Sequence, residues 1–126
     1  MPAVTDLTWT QLNAALKSIV QTNDDLITLD SYGMPTGIDV AGIVQSFPVD
    51  TDATTSTGVI KFMARLFDAC REAQIAANVN QPTGERLNAF AAPTNQAPVN
   101  NLVPTTRTMV TRADLSSASK IIGTNA

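Results

Sequence analysis

"GVIKFMARLFDACREAQIAANVN", residues 58–80, is the longest stretch of the chain that reads as a single element. Val59, Met63, Leu66, Phe67 and Cys70 recur at helical spacing and form one apolar stripe. Lys61, Arg65, Asp68 and Glu72 line the opposite flank, and Phe62, Ala69, Ala73 and Ala76 make a second, narrower apolar strip. A helix that is apolar on two faces needs neighbours on both, and a row of alanines lets a second backbone come close. The spacing therefore predicts a central helix, capped by Ser56 or Thr57 and stopped before Pro82 and Gly84.

Upstream, "DLTWTQLNAALKSIV" (6–20) places Trp9, Leu12, Leu16, Ile19 and Val20 on one face, which predicts a helix from Trp9 to Thr22 with Trp9 in the core. Thr8 and Gln11 fit a capping box, and Leu7 with Leu12 a hydrophobic staple. In "LITLDSYGMPTGIDVAGIVQSFP" (26–48), the branched run Leu26 to Asp30 predicts a short strand. "SYGMPTG" reads as a turn. Val40, Ile43, Val44 and Phe47 then match a short helix ended by Pro48, although Ile38, Val40 and Val44 also tolerate a strand.

Downstream lies "LNAFAAPTNQAPVNNLVPTTRTMV" (87–110), with three prolines, four asparagines and one charge. Prolines 93, 98 and 104 break any helix, and a connection of about 28 residues is long for a compact domain. Its apolar content (Leu87, Phe90, Val99, Leu102, Val103, Met109 and Val110) is high for a disordered linker. Fully extended it reaches about 90 Å, against about 30 Å for the rest of the domain. It is thus expected either to wrap its own domain or to lie on another subunit, with plain disorder as the remaining alternative. The last element, "VTRADLSSASKIIGTNA" (110–126), predicts a terminal helix from Arg112 to Ile122 with Leu115, Ala118, Ile121 and Ile122 on its apolar face. Thr111 and Asp114 resemble a capping pair, and Gly123 is a natural stop.

The totals bound the function. At 126 residues the chain is one domain's worth, with 44% hydrophobic residues. Charged residues make up 15%, where about a quarter is usual. Alanine and threonine are the commonest types, so small neutral side chains replace lysine and glutamate at the surface. Weak charge lowers repulsion between copies. A net charge of −3 with scattered cations argues against nucleic acid. No apolar run approaches a membrane span, and "MPAVTDLTWT" lacks signal-peptide character, so cytoplasmic synthesis is expected, including for a particle or appendage released later.

Chemistry has few handles. The chain has no histidine, which removes the commonest general base and most zinc sites. The lone Cys70 lies on an apolar stripe and reads as an inert thiol. Asp24, Asp25 and Asp30 cluster near the end of the first helix, and Asp50 with Asp52 opens a threonine-rich loop. "DTDATTSTGVIK" (50–61) begins like a calcium loop but has Thr55 where the turn glycine belongs and Lys61 where the bidentate glutamate belongs. No metal or other cofactor is expected.

The sequence reading is a mainly α small domain, 1–82, with a short strand near 26–30, followed by a long extended C-terminal arm with a short terminal helix, 83–126. The composition resembles that of coat, sheath and filament subunits. The expected function is a non-enzymatic structural subunit that self-assembles into a filament, sheath or shell. Its partners are copies of itself and other structural proteins of the same assembly. The arm would lie across a neighbour and the terminal helix would clip on at the far end. Phe90, Val99, Leu102, Val103, Met109, Leu115, Ile121 and Ile122, with Tyr32 at a turn tip, are the candidate interface residues. A small binding module whose arm covers its own core is the alternative. A small enzyme using the aspartates ranks third.

Overall fold

The computed structural model describes residues 3–49 and 57–112. In order, it contains α1 (Trp9–Val20), β1 (Ile27–Leu29), β2 (Pro35–Ile38), α2 (Val40–Val44), α3 (Val59–Asn78), a 3₁₀ turn (Thr83–Glu85), β3 (Thr94–Asn95) and β4 (Thr105–Thr106). Among the described residues, three helices and two small antiparallel sheets make the fold mixed α/β, with 39% helix and 15% strand, so the mainly α expectation is corrected. Two segments account for the difference: part of the expected turn after Asp30 is strand, and the expected single extended arm doubles back on itself.

α1 begins as its sequence dictates. The Thr8 hydroxyl accepts from the Gln11 backbone N–H while the Gln11 side chain accepts from the Thr8 N–H, so two orphan donors of the first turn are satisfied. The helix stops at Val20, two residues short of the expected end, because Gln21 takes a left-handed conformation and its N–H donates to the Lys17 carbonyl. Leu12 and Leu16 face inward as expected, but Trp9 does not: it lies in the first turn and is 38% exposed.

After α1, Asn13 holds the entry to β1. Its Oδ1 accepts from the backbone N–H groups of Leu26 and Ile27, and its Nδ2 donates to Asp25. β1 pairs with β2 through Ile27↔Ile38 and Thr28↔Gly37, with a bulge before Leu29↔Pro35. Asp30 closes the connection: one carboxylate oxygen accepts from the N–H groups of Tyr32 and Met34, and Gly33 supplies the positive φ of 80°. Asp39 then caps α2 by accepting from the Gly42 N–H. α2 has only five residues, and Phe47 lies beyond it, buried.

α3 is the central helix, as its length implies, and both of its apolar strips reach the core, with Leu66 and Cys70 of the wider one half-buried against it. The narrow strip is the more buried: Ala69 and Ala73 are buried and pack with Leu12, Leu16, Leu26, Ile27 and Ile43 in the core. Val59 and Met63, at the start of the wider stripe, are largely exposed, and Arg65 is buried instead of facing solvent. Small side chains win the inner face because α1 crosses there, and an alanine surface permits the close approach. Gly58, and not the expected Thr57, stands at the N-cap position, with φ 82°; the other expected cap, Ser56, lies outside the described residues. The terminal helix expected from Arg112 to Ile122 likewise lies outside them, apart from Arg112.

Candidate interaction surface

Residues 90–109 of the arm form a β-hairpin. Asn100 and Asn101 both adopt left-handed backbone angles, φ 51° and 64°, as a two-residue type I′ turn requires. Asparagine tolerates that region because its short side chain can bond locally. Across the turn Val99 and Leu102 exchange both backbone hydrogen bonds, at 2.7 and 2.9 Å. Asn95↔Thr105 and Thr94↔Thr106 pair further down, and Phe90↔Met109 closes the base. Proline leaves gaps in this ladder: the Pro104 carbonyl accepts from Gln96 N–H, but Pro104 has no N–H to return. Side chains make up part of the loss, with Thr105 donating to Asn95 Oδ1 and Gln96 to Thr106 Oγ1.

The base of the hairpin is fixed to α3 by two amides. The Gln74 Oε1 accepts from the N–H groups of Ala89 and Phe90, and its Nε2 donates to the Phe90 carbonyl. One turn on, Asn78 accepts from the Leu87 N–H and donates to the Leu87 carbonyl. Both side chains thus act as a backbone edge, extending the helix surface into something a strand can pair with. The Phe90 ring meets Phe67 edge-on with centroids 6.1 Å apart. Higher up, Arg107 reaches Asp68 with two nitrogens, at 2.8 and 3.2 Å.

A second cluster joins the end of α2 to this region. Arg65 Nε donates to the Ile43 carbonyl at 3.1 Å and its terminal nitrogen to the Gln45 carbonyl at 2.9 Å. These are carbonyls that a helix C-terminus leaves without intrahelical partners. The guanidinium lies 4.4 Å from the Phe47 ring centroid, and Arg107 approaches the same ring at 5.6 Å. Burial lowers the Arg65 pKa, and the nearby Asp68 opposes that shift.

The candidate residues separate into groups. Phe90 is half-buried against its own α3, whereas Val99, Leu102, Val103 and Met109 stand exposed along the hairpin. Tyr32 is 89% exposed at the turn of the β1–β2 ribbon, a different element from the hairpin. Leu115, Ile121 and Ile122 lie outside the described residues. Gln74, Asn78, Arg65 and the Asp68–Arg107 pair were not among the sequence candidates. The available signal was a long amide within an alanine-rich face, which is out of place unless it has a backbone to bind.

Of the candidate aspartates, Asp25 and Asp30 have structural partners. Asp25 accepts from Asn13 and Lys17, and these bonds hold its carboxyl below the usual range. Asp30 serves its turn, and Asp50 and Asp52 lie outside the described residues. Among the described residues no cluster of three His, Cys, Asp or Glu side chains could hold a metal ion. No described helix is long and apolar enough to cross a membrane.

Cys70 is half-buried, and burial pushes its thiol pKa up. Its alkylation should be slow at neutral pH and keep rising with pH after that of a free peptide thiol, whose pKa is about 8.5, has levelled off. Iodoacetamide labelling of the folded chain across that range checks this; a rate equal to the peptide's at neutral pH would contradict it. Compared with family models, curated proteins and solved structures, the chain matches none.

Proposed function

We propose that the chain is a non-enzymatic structural subunit that self-assembles into a homo-oligomer such as a filament, sheath or shell through its C-terminal arm. The observation that carries this reading is the hairpin's surface. Val99, Leu102, Val103, Met109 and Val110 are all about half exposed or more. The only charge between residues 87 and 110 is Arg107, and Asp68 of the same chain neutralises it. Natural edge strands usually carry charge to discourage pairing with another chain, and this ribbon has none free. A second apolar patch supports assembly beyond a pair: Tyr32, Met34, Ile38 and Val40 lie exposed on and beside the β1–β2 ribbon. Two separate patches are what an open, repeating contact requires.

Sedimentation of the full chain should give species larger than a monomer. The double substitution Leu102→Asp with Val103→Asp should reduce them to monomers without lowering the melting temperature, since both side chains are exposed. A wild-type chain that remains monomeric at high concentration would overturn the proposal. One feature favours a second reading, a binding module with its arm on its own core: the Gln74 and Asn78 clamps hold the hairpin base in cis. On that reading the wild-type chain stays monomeric and the double variant behaves like it.

A further inference from the structure

We infer that the first half of α3 is the surface that receives the hairpin tip of a second copy, each of the two copies giving a tip and taking one. The inference rests on the self-assembly reading and names the receiving site within it. Val59, Ile60 and Met63 stand about half exposed or more at the start of α3. They line a shallow depression of about 240 Å³ whose floor includes Phe67. It adjoins a larger groove of about 850 Å³ between α3 and the hairpin tip, where Val99, Leu102 and Val103 form the far wall. Ile60, Ala64 and Arg107 belong to both, so the two depressions make one surface.

Area and charge together select the occupant. The three α3 residues and the three tip residues are each 47% to 64% exposed. Together they leave on the order of 600 Å² of surface open, the upper end of the largest patch on an ordinary monomer. One tip-to-helix contact alone would fall short of a stable interface. A reciprocal pair of contacts removes about 1,200 Å², which reaches the lower bound for a specific complex. In a reciprocal contact each tip meets α3 of the other copy, so the charges that matter are those lining the two depressions. Among the described residues lining both depressions, the only charged side chain is Arg107, already paired with Asp68 at 2.8 Å. A charged partner would find nothing here to complement it. An apolar, uncharged tip does, and the chain carries one of its own.

The test uses full-length chains with Cys70→Ala, so that every introduced thiol reports one position. One chain carries Met63→Cys and an affinity tag; the other carries Leu102→Cys. Mixed and treated with a short bismaleimide, they should give the 63-to-102 product in excess of either like-with-like product. In a separate measurement, Ile60→Asp should weaken association by at least about 30-fold, as expected for a charge placed at the centre of an interface. If only 102-to-102 product forms and Ile60→Asp assembles like wild type, the receiving surface is wrong while self-assembly through the hairpin stands. If the wild-type chain is monomeric in sedimentation and no cross-link forms, both ideas fail.

Discussion

Gln74→Leu should detach the hairpin from α3 and raise hydrogen exchange at the Ala89, Phe90 and Val110 amides by about 30- to 1,000-fold, equivalent to about 2–4 kcal/mol of lost docking energy. The substitution keeps the volume but leaves two backbone donors and one acceptor at residues 89 and 90 without partners. Val110 responds because its N–H donates to the Ala89 carbonyl, which moves with the strand. Nothing else compensates fully, since a two-stranded hairpin with a proline-thinned ladder is marginal on its own. Gln74→Glu separates the contributions. The carboxylate still accepts from both N–H groups but cannot donate, and it faces the Phe90 carbonyl, so an intermediate effect is expected. Unchanged exchange at Ala89 and Phe90 in Gln74→Leu would show that Phe67 and Asp68 hold the base without the amide.

Such side-chain bridges are what a single sequence conceals. Local signals were legible where one element satisfies itself. The Thr8–Gln11 capping box and the inward Leu12 and Leu16 of α1 need no information from elsewhere in the chain, and both formed as expected. The strand at Leu26–Asp30 was legible too, whereas its mate Pro35–Ile38 was not, because proline and glycine there read as turn. A bulge between Thr28 and Leu29 accommodates that sequence in a strand. The hairpin had a signal that went unread: Asn100–Asn101 between Val99 and Leu102 suits a type I′ turn, but the surrounding prolines argued for one extended run. Arg65 shows the other kind of failure. It shares a face with Ala69 and Ala73 at intervals of four, so helical geometry placed it inside; its charge alone suggested the outside. Burial depended on two carbonyls supplied 20 and 22 residues away in α2 and its exit, which periodicity within α3 cannot reveal.

Arg65→Met should therefore cost about 3 kcal/mol of stability, among the larger effects for a single substitution. The methionine fills similar space but offers no donors, leaving the Ile43 and Gln45 carbonyls unpaired at the end of α2. Charge-assisted bonds to carbonyls contribute more than neutral ones, and the ring of Phe47 loses its cation at 4.4 Å. Arg65→Lys keeps the charge but replaces a planar fork with one point donor, which cannot serve both carbonyls in the same geometry; about half the loss is expected. Urea unfolding of the three chains gives the ordering wild type, Lys, Met. If the buried cation were a net burden, the methionine variant would instead match or exceed wild type, as removing a buried charge sometimes does. The carbonyls argue against that outcome, since they remain in place and unpaired beside a methionine. Loss of the Arg65 anchor should also free Phe47, and with it the groove wall beside the hairpin. Assembly measured on Arg65→Met under conditions where it is still folded should weaken along with stability, whereas Leu102→Asp with Val103→Asp should weaken assembly alone.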